Sequence, residues 1–224
     1  MTDQITTKNR YHNIIFDLDG TLTDSASGVI NSVYYALQKL DIEADGADLN
    51  SFIGPPLQRS FREKFKFDEE KVQEAIEYFR EYYREKGIYE NRLYPSVSEM
   101  LEKLALKGKR IYLATSKATP FAEIILRHFQ IDRYFEAVAG ATLDGTRVEK
   151  KDVLAHLVEL SGNLNPQESV MVGDRKHDII GARDHGLDTA AVTYGYGSVE
   201  ELSGEKPTYL VHSVKELTGL LLNQ

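Results

Sequence analysis

Three short apolar runs in this 224-residue chain stop abruptly on polar residues. Asn13 to Phe16 stops on Asp17, Arg110 to Ala114 on Thr115-Ser116, and Ser169 to Val172 on Gly173-Asp174. Phe135 to Ala139 is a fourth, weaker run. Apolar runs this short, bounded by turn residues and each followed by a helical pattern, read as strands buried on both faces. Ser96-x-x-Glu99 reads as a capping box opening the helix before the second strand, and Gly108 ends that helix. Thr119-Pro120 sets a capping residue before proline and opens a helix to about Phe129. The helix after Ser169 to Val172 runs to about His185 and stops at Gly186. Thr189 to Val192 reads as a fifth strand and Val214 to Leu222 as a closing helix. Strands alternating with helices predict an α/β fold, a Rossmann-like parallel sheet with helices on both faces.

Residues 24–90 break that rhythm. They contain no convincing strand and at least three helical patterns, Val29 to Leu40, Leu57 to Phe65 and Asp68 to Lys86. In the last, Val72, Ile76, Phe79 and Tyr83 fall on one face, and Gly87 ends it. The expected organisation is a core of residues 11–23 and 91–224, an inserted helical cap over 24–90, and a flexible start over 1–10.

The chain has no cysteine, which excludes disulfides, thiolate metal sites and a cysteine nucleophile. No histidine pair has the spacing of a zinc site. A net charge of -8 argues against nucleic-acid or anionic-membrane partners. The opening residues lack the apolar stretch of a secretory signal, so a cytoplasmic protein is expected. No required protein partner is evident.

In an open α/β sheet the carboxyl ends of the strands face one crevice. Asp17, Asp19, Thr115, Ser116 and Asp174 therefore converge, with Asp178 one helical turn further on. Two carboxylates ~4 Å apart repel by roughly 1 kcal/mol in water and about 4 kcal/mol at an effective dielectric of 20. Converging carboxylates need a cation, and an all-oxygen donor set suits Mg²⁺. A metal there lets a phosphate dianion approach an acid. Asp17 can then attack phosphorus, and Asp19 can protonate the leaving oxygen and later take a proton from water. Backbone N–H groups at Gly20 and Thr21 and the hydroxyls of Thr115 and Ser116 are candidate phosphate ligands. A lysine is wanted to offset charge on the transferring group, and Lys150-Lys151 opens the helix before the Ser169 to Val172 strand.

Asp17-Leu18-Asp19-Gly20-Thr21, Thr115 after an apolar strand, Lys150, and Gly173-Asp174-x-x-x-Asp178 resemble the haloacid dehalogenase-like hydrolases. Asp19 is similar to the second acid of the phosphatase branch. "SFIGPPL" (Ser51 to Leu57), "TYGYGSVEEL" (Thr193 to Leu202) and the helical cap resemble phosphoglycolate phosphatase-like and β-phosphoglucomutase-like members. The resemblance implies that Asp17 is nucleophile and metal ligand, and that Asp19 is acid/base and binds metal through its carbonyl. It implies that Asp174 completes the ligands, that Asp178 orients a metal-bound water or the lysine, and that Lys150 rather than Lys151 is the motif lysine. The expected activity is Mg²⁺-dependent hydrolysis of a small phosphomonoester such as phosphoglycolate, through an aspartyl-phosphate. The alternatives are a β-phosphoglucomutase-type mutase, a pyrophosphatase or nucleotidase relative, and a catalytically silent regulatory protein. Arg59 and Arg62, after the Gly54-Pro55-Pro56 loop, are candidate substrate contacts.

Overall fold

The computed structural model describes residues 10–44, 46, 48–162 and 164–223. Of the flexible start expected over 1–10, all but Arg10 lies outside the described residues.

Six strands form one parallel sheet: β1 (Asn13–Phe16), β4 (Arg110–Ala118), β5 (Phe135–Ala141), β6 (Ser169–Gly173), β7 (Asp188–Val192) and β8 (Tyr209–Val211). Their spatial order is β5-β4-β1-β6-β7-β8. The first strand is thus central, and the chain winds outward from it in both directions. Side chains alternate between the two faces. Ile14 and Phe16 join one core with α4 (Val97–Leu106), α5 (Thr119–His128) and α9 (Val214–Asn223). Ile15, Tyr112 and Met171 pack on the opposite face against α6 (Lys150–Ser161) and α7 (Lys176–Asp184). Burial on both faces explains why β1 reads as an unbroken apolar run. Fully burying one such side chain contributes roughly 1.5–3 kcal/mol. Among the described residues no helix is long and apolar enough to cross a membrane.

Helices α1 (Ala26–Lys39), α2 (Leu57–Phe65) and α3 (Glu69–Tyr82) follow β1 before the chain returns to the sheet. A two-residue antiparallel pair, β2 (Thr23–Asp24) with β3 (Arg92–Leu93), ties the two ends of this helical insertion together. Within the insertion Phe61 stacks on Phe67 at 6.0 Å and meets Phe52 edge-on at 4.9 Å, and these rings belong to the same apolar cluster as Ile14 and Phe16. α3 stops at Tyr82 rather than continuing to Lys86. A π-helical turn over Tyr83–Gly87 follows it.

Two helix starts differ from expectation. Ser96 sits at φ 69° and its hydroxyl caps nothing. Tyr94 to Val97 form a turn, closed by Val97 N–H donating to the Tyr94 carbonyl at 3.2 Å. With Pro95 second and a positive φ third, this is a type II turn, and it overrides the capping box. Glu99 instead pairs with Lys103 at 2.7 Å. Thr119 is the first helical residue rather than the cap; its hydroxyl accepts from Gly140 N–H at 3.1 Å and so ties α5 to β5. The short edge strand β8 and the helix α8 (Val199–Gly204) were not expected from the pattern.

α1 crosses the π-helical turn at Gly28, where an added Cβ would lie 1.9 Å from the Gly87 carbonyl oxygen. Gly28→Ala must therefore push two backbones apart, at an expected cost of roughly 2 kcal/mol. Gly219→Ala, in α9 with open space around it, is expected to stabilise by about 0.5–1 kcal/mol. Thermal melts of the two variants check both signs, and an unchanged Gly28→Ala would contradict the close crossing.

Candidate active site

Parallel register fixes the site before any side chain is considered. Phe16 lies beside Leu113 on one side and Val172 on the other. The next residues out of the sheet are therefore Asp17, Ala114 and Gly173, followed by Thr115 and Asp174. Asp17, Asp174 and Asp178 each offer a carboxylate oxygen, all within 4.8 Å of one another, and all three residues are buried.

Lys150 lies among them. Its Nζ is 2.9 Å from Asp17 Oδ1 and 2.7 Å from Asp178 Oδ1, and it donates to the Ala114 carbonyl at 2.9 Å. An ammonium has three hydrogens, and here each has an acceptor. Burial alone would depress the pKa of Lys150, but Asp17 and Asp178 overcome it and hold the ammonium charged above the ordinary lysine range. Lys151 is exposed, so Lys150 is the lysine the fold brings to the acids.

Asp174 is wrapped by backbone. Its Oδ2 accepts from Tyr196 N–H at 2.7 Å, and its Oδ1 accepts the Thr21 hydroxyl at 3.3 Å. Gly20 lies so close that a Cβ there would sit 2.1 Å from Asp174 Oδ2, and its φ of +84° also favours glycine. Burial, then the charges of Asp17 and Asp178, push the Asp174 carboxyl well above its ordinary range. Burial pushes Asp17 up as well, against the opposing pull of Lys150.

Gly20 and Thr21 differ from the phosphate cradle expected of them. Gly20 N–H donates to the Thr23 carbonyl at 2.8 Å and Thr21 N–H to Leu18 at 3.2 Å, so both close the turn. The Thr21 hydroxyl faces Asp174. Thr115 is buried with its hydroxyl accepting from Lys117 N–H at 3.2 Å, and both Thr115 and Ser116 line the cavity with Asp17 and Asp19. Asp178 uses both oxygens, one on Lys150 and one on Arg175 N–H at 3.0 Å, which matches a role in orienting the lysine.

Asp19 stands apart from the trio. Its Oδ2 pairs with Lys117 Nζ at 3.0 Å, and its Oδ1 is buried with no hydrogen-bond partner among the described residues. Lys117 also donates to the Tyr83 hydroxyl at 2.5 Å and lies 4.6 Å from the centre of that ring. Neither Lys117 nor Tyr83 was singled out from the sequence as a site residue. Tyr83 fell on an apolar helical stripe, and Lys117 followed a strand as an ordinary surface lysine would.

The insertion reaches the sheet end at further points. Arg175 donates to the Ile53 carbonyl at 2.8 Å, and Arg80 to the Leu143 carbonyl at 2.9 Å. Arg80 lines the same cavity as Asp17, together with Phe52, Phe79 and Phe121. Arg59 and Arg62, the arginines expected near substrate, are engaged elsewhere, by Glu149 at 2.6 Å and by Glu69. Neither lines that cavity.

The donors fit a divalent cation. Three carboxylates against one lysine leave two negative charges in a buried pocket. Hard oxygen donors of that net charge match Mg²⁺-type ions.

The chain belongs to the haloacid dehalogenase-like hydrolases, whose family model matches residues 14–192. It is 45% identical over 213 residues to the 5'-nucleotidase of Pseudomonas aeruginosa, covering 95% of this chain and 96% of that protein. It is 42% identical over 201 residues to the tyrosine-protein kinase PtkA of Mycobacterium tuberculosis, covering 89% and 68%. A crystal structure described as a predicted phosphatase from Clostridium acetobutylicum superposes with a TM-score of 0.91 at 44% identity, covering 96% of this chain and 100% of that one.

Asp17 and Asp174 hold protons to higher pH when folded than when unfolded. Without metal the folded chain thus binds more protons than the unfolded chain above the ordinary carboxylate range, about pH 4. Its stability is expected to fall as pH rises through that window. A divalent cation bound by the ionised acids opposes the fall, by about 2.7 kcal/mol at a hundred times its Kd. Thermal unfolding against pH, in chelator and in excess Mg²⁺, tests this. A melting temperature indifferent to Mg²⁺ at neutral pH would count against the metal site.

Proposed function

We propose that this chain is a Mg²⁺-dependent phosphatase that hydrolyses a small phosphomonoester through an aspartyl-phosphate on Asp17. The observation that carries the reading is the buried contact of Asp17 with Lys150, beside Asp174 and at the wall of a cavity. Asp17, Asp174 and the Asp19 carbonyl would hold the metal. When bound, the metal supplies charge neutralisation, so that a phosphate dianion can approach a carboxylate.

Asp17 attacks phosphorus, forming an Oδ–P bond as the bond to the leaving oxygen breaks. Asp19 gives a proton to that oxygen, then removes one from the water that hydrolyses the aspartyl-phosphate. Lys150 holds Asp17 in place, and Ser116 faces the incoming phosphate. The helical insertion of residues 24–90 serves as the cap that shields the site, over a core of residues 11–23 and 91–224.

For the ester, a 5'-nucleotide stands ahead of the phosphoglycolate suggested by the motifs. The similarity to a 5'-nucleotidase supports that order, as do the rings of Phe52, Phe79 and Phe121 on the cavity wall. Two cations, Arg80 and Lys117, line the same cavity.

Phosphate release over a panel of esters with Mg²⁺ tests the reading. Asp17→Asn is expected to abolish turnover while leaving the circular dichroism spectrum intact. Asp19→Asn is expected to lower turnover by roughly 10²–10⁴-fold. Within the panel, kcat/KM is expected to be higher for 5'-nucleotides than for phosphoglycolate, and the reverse order would restore the smaller acid. The assay also includes ATP with a tyrosine peptide, because of the likeness to PtkA. Phosphate transfer to the peptide in place of release to water would replace the hydrolase reading.

A further inference from the structure

Asp19 is paired with Lys117 rather than with Lys150, and its two oxygens stand in different surroundings. Oδ2 is 3.0 Å from Lys117 Nζ, while Oδ1 is buried and without a hydrogen-bond partner among the described residues. The Lys117 side chain is only 8% exposed. It spans two parts of the chain, since Lys117 belongs to β4 and its second partner, the Tyr83 hydroxyl, belongs to the insertion.

Tyr83 is itself held firmly. Its ring stacks on Phe79 of α3 at 5.4 Å and meets Phe121 of α5 edge-on at 5.4 Å. It continues the apolar face of α3 and is the first residue of the π-helical turn that ends it. Burial pushes its hydroxyl pKa above the ordinary tyrosine range, so the phenol stays protonated and accepts from the ammonium through oxygen.

We propose that Lys117 and Tyr83 are positioning residues that pin Asp19 Oδ2 and so direct Oδ1 at the leaving-group oxygen, making proton donation conditional on the insertion being seated. The proposal rests on the hydrolase reading above and adds a pair of residues to it. Three facts support it. Oδ2 is the oxygen paired with Lys117, and Oδ1 has no hydrogen-bond partner among the described residues. The lysine is shared between acid and phenol, so rotation of the carboxylate breaks a buried, charge-assisted contact. The phenol comes from the insertion, so lifting the insertion away from the sheet removes one of the two anchors of Lys117. With the pair in place, the Asp19 proton passes from Oδ1 to the leaving oxygen as its bond to phosphorus breaks and the Asp17 Oδ–P bond forms.

Leaving-group dependence separates positioning from simple structural support. Phenyl phosphate releases a poor leaving group that needs the proton, whereas 2,4-dinitrophenyl phosphate releases a good one that does not. The readout is kcat/KM with Mg²⁺, which covers the steps up to departure of the leaving group. Tyr83→Phe keeps the ring packing and removes only the hydroxyl. Lys117→Met keeps the stem and removes the charge. In both, the loss in kcat/KM is expected to be about tenfold greater for phenyl phosphate than for the dinitrophenyl ester. Lys117→Arg is expected to restore part of the difference.

An equal loss on both esters, or no loss on either, would overturn the positioning role. So would a rise in KM alone with kcat unchanged, which would make Lys117 a substrate contact. If Lys117→Met fails to fold, Tyr83→Phe decides the matter by itself. Failure of the unaltered protein to hydrolyse either ester would instead defeat the hydrolase reading, and the proposal with it.

Discussion

Burying a lysine beside aspartates is costly unless every ammonium hydrogen finds an acceptor, and Lys150 meets that condition with Asp17, Asp178 and the Ala114 carbonyl. The ammonium draws together residues from β1, β4, α6 and the first turn of α7, which are scattered over more than half the sequence. Removing one partner from a buried pair of this kind costs on the order of 3–5 kcal/mol. That compares with a total stability of roughly 5–15 kcal/mol for ordinary domains. The geometry of the acids and the closure of this end of the sheet are therefore one energetic problem. Asp178 shows the same economy, because its second oxygen accepts from Arg175 N–H and fixes the start of α7.

The insertion is joined to the sheet by a different kind of contact. Inside, it is apolar, with Phe52, Phe61, Phe65 and Phe67 packed ring on ring. Its polar links to the core include Lys117 to Tyr83, Arg175 to the Ile53 carbonyl, Arg80 to the Leu143 carbonyl, Arg59 to Glu149, and Tyr196 and Arg92 to Asp24. The Arg59–Glu149 pair is about two-fifths exposed on both sides, where ion pairs contribute little. The Lys117–Tyr83 link is buried, and its lysine pairs with Asp19. Apolar packing joins insertion and core as well, since Tyr83 meets Phe121 and the rings of the insertion share one cluster with β1, so the Lys117–Tyr83 link is a polar contact inside a continuous core.

Much of this was readable in the sequence because strand ends obey topology. Once β1, β4 and β6 are recognised as parallel neighbours, Asp17, Thr115 and Asp174 must meet, and Lys150 follows from the charge they leave. Lys117 was hidden for a local reason. The pairing of β4 with β5 shifts register between Thr115 and Ala118, and that irregularity has no signature in "ATSKA". Tyr83 was hidden because helical periodicity assigns it to the same stripe as Phe79, and a π-helical turn cannot be seen in a 3.6-residue pattern. Ser96 misled because a capping box and a type II turn after proline use the same residues, and only the backbone decides between them. The strands β2, β3 and β8 span two or three residues, too few for any alternation to register.

The segment Thr193 to Gly197 shows how a site can be made precise without adding a reactive side chain. Tyr196 gives its N–H to Asp174, and its hydroxyl donates to Asp24 at 2.9 Å. Tyr194 donates to the Thr21 carbonyl at 3.0 Å. A Cβ on Gly195 would lie 2.3 Å from the Gly20 carbonyl and 2.5 Å from Asp174 Oδ2. The loop can approach the first motif this closely only because glycine separates the two tyrosines. The turn that carries Asp19 is thus clamped by a loop nearly 180 residues further on. Lys150 governs the acids through charge, and this loop governs them through contact. Both must hold before a cation bound at Asp17 and Asp174 can have a fixed relation to the acid at Asp19.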